Sequence, residues 1–331
     1  MMNYQKVKLI FLCFVLVIIV FVAAVFLIKP RTTEIYRASS PEKETVNIIL
    51  VGDIMLDRGV EYMIEKQGKG DFKFPFLKIA EYFKKADIVF GNLEGIISDK
   101  GTKIGSIYSF RVNPKAMEEL ALTGFNVLSL ANNHALDYGK EALEDCFIRL
   151  KDSGISYVGA GLNEKEAFSL VVKEVNNTKI GFLAYTDLGP EIWKAKEDSG
   201  IAWIKESDLE KIEKDIQEAK NKVDVLIVSL HSGEEYTQKL TQFQIEFPKM
   251  AIEAGADLIV GHHPHVVQPN EKYQQGYIFY SLGNFIFDQS FSKETMGGLL
   301  LEVQIKDKKI KEIIQKEVKI NNYFQATIDN S

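Results

Sequence analysis

Past residue 45, apolar residues follow two recurring patterns. Short runs rich in Val, Ile, Leu and Phe, with little polar alternation, occur at 46–51, 87–90, 125–130, 223–230, 256–260, 277–281 and 299–305, and each predicts a buried strand. Between several of them, apolar residues recur at helical spacing over 76–85, 114–123, 139–151, 207–221 and 244–254. Gly124 and Gly255 stand just past two of these segments, where a left-handed cap ends a helix. Apolar-rich stretches at 170–175 and 179–185 flank Asn176-Asn177-Thr178 and predict a hairpin. Strands interleaved with amphipathic helices define an α/β class.

The first 45 residues differ. Residues 9–28 contain no charged side chain, and at helical rise the run is just long enough to cross a bilayer. The expectation is a short tail over 1–8, a transmembrane helix over 9–28, a polar linker over 29–45 carrying Pro30 and Pro41, and one folded domain over 46–331. No small-residue cleavage site follows Ile28, which favours a retained anchor over a cleaved signal. Basic residues flank the run on both sides, so the charge rule does not orient it.

Chemistry-bearing residues collect where the predicted strands end. Asp53 follows the first strand, with Arg58 five residues on in Gly-Asp-Ile-Met-Leu-Asp-Arg, close enough to pair with an anion. Asn92 and Glu94 follow the second, and Asn132-Asn133-His134 the third. A fourth strand runs into His231-Ser-Gly-Glu-Glu235-Tyr236. Three of the five histidines in the chain lie in Gly261-His262-His263-Pro264-His265. Pro264 biases His263 toward an extended backbone, in which residues two apart share a face, so His263 and His265 are expected to face one ion and His262 the opposite side. Asn284, in Leu282-Gly-Asn-Phe285, either reaches the cleft or shapes a turn.

All five histidines stand at strand ends, a pattern that implies one shared site. Imidazole nitrogen with carboxylate and amide oxygen, and no cysteine, suits manganese, iron or zinc. More than four candidate ligands suggests two divalent ions able to clamp a phosphoryl oxygen, with His134 left to act as an acid toward the leaving group. Charge narrows the substrate. The first 45 residues hold six basic and three acidic side chains of the chain's 40 and 46, which leaves 34 against 43 and a net charge of −9 for the domain. That balance disfavours nucleic acid as a partner. Cys13, in the apolar run, and Cys146, in a helical segment, are not positioned to pair.

The ordered blocks GDIMLDR, GNLEG, ANNHALDYG, HSGEEY, GHHPHVVQP and YSLGNFIFD resemble the CapA-type poly-gamma-glutamate capsule biosynthesis family, a branch of the calcineurin-like metallophosphoesterase superfamily. The resemblance implies a four-layer α/β/β/α sandwich with its site at the C-terminal strand ends. It implies metal ligation by Asp53, Asn133, His231, His263 and His265 and catalysis by His134. Arg58 is expected to assist, and Arg58, Glu235, Tyr236 and Asn284 to contact substrate. Two positions depart from the superfamily pattern. Met55 stands where the first motif has histidine, and Asn92 and Glu94 stand where the second supplies a bridging aspartate. Glu94 is the better bridge because two cations need negative charge, with Asn92 secondary. The implied setting is the cell membrane, single-pass, with the catalytic domain extracellular. The implied partners are an anionic polymer or phosphate-containing small molecule and membrane synthase subunits. A metal-dependent hydrolase and a non-enzymatic metal- or polymer-binding assembly factor are both compatible; His134 together with the ligand set favours the hydrolase.

Overall fold

The structure, a computed structural model, describes residues 3–27, 45–104 and 107–328, with side chains described over 3–20 and in the two later stretches. The chain divides into two units, Met1–Glu42 and Lys43–Ser331. In the first, helix α1 runs Tyr4–Leu27. Among the described residues, no helix is long and apolar enough to cross a membrane. The transmembrane helix expected over 9–28 is therefore not supported by these residues, and the rest of it lies beyond the described side chains. The linker expected over 29–45 falls outside the described residues except Thr45, which already pairs with Lys306.

The second unit is a mixed α/β fold. The chain first lays down β1 (Thr45–Ile54), β2 (Ile88–Leu93), β3 (Val127–Ser129) and β4 (Ser156–Val158). It then builds a second sheet from β5 (Val171–Val175), β6 (Thr178–Thr186), β7 (Val225–His231), β8 (Leu258–His262), β9 (Asn270–Tyr273) and β10 (Gly276–Phe279). It returns to the first with β11 (Asn284–Ile286), β12 (Gly297–Lys306), β13 (Lys309–Ile320) and β14 (Ala326–Ile328). The first sheet has the order β14-β13-β12-β1-β2-β3-β4, with β11 also pairing β1, and the second β9-β10-β8-β7-β6-β5. β1 through β4 are mutually parallel, as are β6, β7, β8 and β10, so two sets of C-terminal strand ends are available for a site.

Side chains alternate along the strands into three clusters. Ile48 and Leu50 of β1, Phe90 of β2 and Val127 of β3 join Phe182, Ile227 and Val260 of the second sheet in one cluster. Phe90 stacks on Phe182 with ring centroids 5.6 Å apart. Val51, Leu93 and Leu128, from the same strands, pack instead with helices α2 (Arg58–Lys66), α3 (Ala116–Thr123) and α4 (Gly139–Asp152). Leu183, Leu226 and Ile259 of the second sheet pack with α5 (Leu209–Lys220) and α6 (Gln242–Glu253). Full burial of each such side chain is worth about 1.5–3 kcal/mol, and a one-residue slip would exchange the faces, so the register is strongly specified.

One close approach sets the end of β1. The β1–β2 pairing is irregular between Leu50 and Asp53, and there Gly52 lies against Gly283: a Cβ on Gly52 would sit 1.9 Å from the Gly283 carbonyl oxygen. The same loop accepts the Asp53 N–H at 3.0 Å. Gly52→Ala is expected to lower stability by about 1–3 kcal/mol or more, read as a lower urea midpoint at unchanged m-value.

The unit departs from the hydrophobic pattern in one expected helix and in several additional strands. The helix expected over 76–85 is a 3₁₀ turn, Phe74–Phe76, and a four-residue helix, Ala80–Phe83. Phe76, Ile79 and Phe83 are buried at helical spacing, but successive i→i+3 bonds such as Ile79 N–H to Phe76 O at 2.9 Å make the segment a chain of tight turns. The strands at 156–158, 284–286, 309–320 and 326–328 extend the first sheet, and that at 270–273 the second, beyond the expected set. In β13 only Val318 and Ile320 are buried, so this Lys- and Glu-rich strand has little of the apolar signal that marks a strand.

Candidate metal centre

Residues from both sheets meet at the strand ends. Asp53 in β1 is in register with Asn92 in β2, and Glu94 lies one residue past β2. The turn after β3 carries Asn132, Asn133 and His134. In the second sheet β7 ends on His231, in register with His262 at the end of β8; His263 and His265 follow. Asp53, Asn92, Glu94, His134, His231, His262, His263 and His265 are all buried.

The side chains interlock. Asn92 Nδ2 donates to Asp53 Oδ1 at 2.8 Å, and Asn132 Nδ2 donates to Asn92 Oδ1 at 3.1 Å. Both ends of the Asn92 amide are therefore taken, which makes it a brace beneath Asp53 and leaves Glu94 as the charged donor from this segment. His231 Nε2 lies 2.8 Å from Asn133 Oδ1, and its ring centroid is 5.0 Å from that of His263. Glu94 Oε1 is 3.5 Å from His265 Nε2 and 3.8 Å from His134 Nε2. On its other edge His134 Nδ1 lies 2.7 Å from Asp137 Oδ2.

The histidine cluster corrects the expected geometry. His263 and His265 have φ of 97° and 57°, so the segment is not extended. The β8 strand runs through His262, whose register pairing with His231 gives both side chains the same face of the sheet. His262 Nδ1 consequently approaches Asp53 Oδ1 at 3.2 Å and does not face away from the site. Arg58 and Tyr236 also have positive φ, at 52° and 62°, so backbone strain gathers around this centre.

The electrostatics reflect a buried charge cluster. Burial pushes the Asp53 carboxyl up, but the His262 and His265 rings close beside it outweigh burial and hold Asp53 well below its usual range. Glu94 is pushed well above the carboxylate range by burial, which Asp53 and Glu235 reinforce against His265. Burial lowers His265, yet Glu94 and Asp53 raise it to about 9. Burial and the neighbouring His265 lower His263 to about 3, and burial with His263 lowers His231 well below its usual value.

This donor set fits divalent cations. One ligand atom each from Asp53, Glu94 and His231 lies within 4.8 Å of the others, as does one each from Glu235, His263 and His265. Glu94 Oε1 and His263 Nδ1 are buried without any hydrogen-bond partner. Unpaired buried polar atoms are costly, and a cation shared among them would satisfy them. Met55, at the position expected to lack a ligand, is fully buried in the helix-side core.

A cavity of about 450 Å³ opens over the centre, lined among others by Arg58, Asn133, His134, Glu235, Tyr236 and His265. Arg58 is an ion pair with Asp288, its Nε 3.2 Å from Oδ2, and its guanidinium lies 4.6 Å from the centroid of Phe110. Tyr236 stacks near His265 with centroids 5.9 Å apart. Glu235, expected to contact substrate, lines this cavity and also converges with His263 and His265. Asn284, also expected at substrate, is fully buried: its Oδ1 is 3.0 Å from His265 Nδ1, and its Nδ2 donates to Gln289 Oε1 and Thr295 O at 3.0 and 2.9 Å. It orients His265 from behind. Asp137, Asp288 and Phe110 are neighbours that motif reading passes over; the signal for Asp137 was its i+3 spacing from His134 on the turn before α4.

A mixed α/β fold that gathers carboxylates and histidines from the strand ends of two sheets defines a candidate metal-dependent protein. Residues 47–289 match the family model described as bacterial capsule synthesis protein PGA_cap. The chain is 33% identical over 298 residues to the capsule biosynthesis protein CapA of Bacillus anthracis, covering 88% of this chain and 71% of that one. It is 32% identical over 296 residues to the PGA biosynthesis protein CapA of Bacillus subtilis (strain 168), covering 88% and 76%. The chain belongs to this family of capsule synthesis proteins. A solved structure of a hypothetical protein from Thermus thermophilus shares the fold, with a TM-score of 0.52 at 13% identity over 83% of this chain and 99% of that one.

Proposed function

We propose that this chain is a metal-dependent hydrolase of the metallophosphoesterase type, acting in biosynthesis or export of an anionic capsule polymer of the poly-gamma-glutamate kind. Its substrate is a phosphate ester or an amide of that polymer. The reading includes an anchor in the cell membrane through the N-terminal apolar run, the catalytic unit outside the cell, and membrane synthase subunits as partners. The α/β/β/α layering belongs to the same reading and draws support from the three core clusters, one common to both sheets and one on each outer face.

Asp53, Glu94, Asn133, His231, His263 and His265, with Glu235, would hold two divalent ions, manganese, iron or zinc. Such ions would supply Lewis acidity toward a phosphoryl or acyl oxygen. The protein's own contribution centres on His134. Asp137 accepts from the His134 Nδ1–H and fixes the ring so that Nε2 faces the cavity, the atom that would carry the proton for the leaving oxygen when the ring is protonated. Phe110 packs 4.1 Å from the His134 ring and limits its tilt. Arg58, its charge partly offset by Asp288, orients an oxygen of the substrate at the cavity wall.

The observation that carries the hydrolase reading is the buried His134–Asp137 pair with Nε2 beside Glu94. An assembly factor that only binds metal or polymer has no use for an acid held in this way. The test is metal analysis of the purified full-length protein, followed by assay against phosphate diesters and poly-gamma-glutamate with Mn²⁺ added. The expected result is about two ions per chain and metal-dependent turnover of one substrate. Metal bound without turnover of any would favour the assembly role, and no metal bound would overturn the site assignment.

A further inference from the structure

We propose that His262 is a positioning residue for Asp53, acting through its Nδ1–H. The inference rests on the reading of Asp53 as a metal ligand and assigns a residue which that reading leaves without a role. His262 is fully buried, and neither ring nitrogen has a hydrogen-bond partner. Among the described residues, the only carboxylate within ion-pair reach of its ring is Asp53, whose Oδ1 is 3.2 Å from Nδ1. The approach has ion-pair distance without hydrogen-bond alignment.

Its place in the fold makes this a support for the site. His262 closes β8 in register with His231, two residues beyond Val260, which packs in the cluster common to both sheets. The ring lies near Phe90, centroids 6.2 Å apart, and reaches Asp53 from that apolar interior. An apolar side chain would suit such surroundings without leaving two nitrogens unpaired, so the imidazole serves something besides packing. It belongs to neither of the two groups whose ligand atoms converge within 4.8 Å, which separates it from the ligands His231, His263 and His265. Asp53 Oδ1 takes Asn92 Nδ2 at 2.8 Å, and Oδ2 takes the His263 N–H at 3.2 Å. His262 adds a second side-chain donor on Oδ1 and fixes the rotation of the carboxylate. Partners of this kind typically change metal affinity by about 10–100-fold.

Two amide substitutions separate the possibilities, because Asn carries an N–H close to the position of Nδ1 whereas Gln carries one closer to Nε2. Full-length wild type, His262→Asn and His262→Gln are titrated with Mn²⁺ by calorimetry, with circular dichroism of each metal-free protein to establish its fold. The expected result is Asn within about threefold of wild-type affinity and Gln weaker by about tenfold or more, both at wild-type stoichiometry. Equal affinities for all three proteins, or equal weakening in both variants, would overturn the assignment in favour of packing. Loss of one Mn²⁺ per chain in both would make His262 a ligand and overturn it as well. Wild type that binds no Mn²⁺ would sink the metal-site reading itself, and the role of His262 with it.

Discussion

His134→Ala is expected to cut turnover of a responsive substrate by about 10²–10⁴-fold while bound metal stays at the wild-type level. The geometry separates the two effects. His134 Nδ1 is committed to Asp137 at 2.7 Å, and Nε2 stands 3.8 Å from Glu94 Oε1 at the cavity floor, so the ring is poised for proton transfer and holds no shared ligand position. Parallel metal analysis and steady-state kinetics on one preparation make the measurement. A proportional fall in metal and in turnover would move His134 into the ligand set.

Glu94→Gln is expected to abolish stoichiometric Mn²⁺ binding and, at neutral pH, to raise the melting temperature of the metal-free protein. Both outcomes follow from one fact: Glu94 is fully buried with Oε1 unpaired, and burial with the Asp53 and Glu235 charges holds its carboxyl well above the usual range. Without metal, a carboxyl whose folded-state value is raised costs stability at pH above its unfolded-state value, and the neutral isostere removes that cost. A relief of about 1 kcal/mol would shift the melting temperature of a domain of this size by roughly 2–4 °C. Differential scanning calorimetry with and without Mn²⁺ reads both arms. Retained metal binding by Glu94→Gln would remove the residue from the bridge, and a lowered melting temperature would show that the carboxylate is better compensated than its contacts indicate.

Such a trade between stability and site chemistry extends to the backbone. Arg58, Tyr236, His263 and His265 all sit at positive φ around the centre, an arrangement a non-glycine residue adopts only at a cost. The strand-alternation rule failed at the histidine cluster for this reason. It presumes extended backbone, and the chain leaves the strand at His262 and turns through two left-handed residues. Propensity failed over 76–85 on a smaller scale, where buried Phe76, Ile79 and Phe83 keep helical spacing on consecutive tight turns.

Most of the candidate ligands were legible because each polar residue of interest closes an apolar run, and apolar runs in this chain form buried strands. Asp53, His231, His263 and His265 stand out by that rule, whereas choosing Glu94 over Asn92 also needed the motif resemblance and the charge a bridge between cations requires. Residues that act by supporting others were not legible. Nothing in one dimension says that Asn284 would lie behind His265 or that Asp288 would hold Arg58 from 230 positions away. Nor does it say that Glu235 would converge with the histidines of a neighbouring strand end.

The sequence by itself determined the α/β class, the strand-end location of the chemistry and the family, since these depend on local periodicity and on the order of short motifs. Only the tertiary structure decided which way each side chain faces. That outcome depends on the register of β7 against β8, on the close approach of Gly52 to Gly283, and on strained turns that long-range packing stabilises. These contacts join residues far apart in the chain, and their energies are set by neighbours that no sequence window contains.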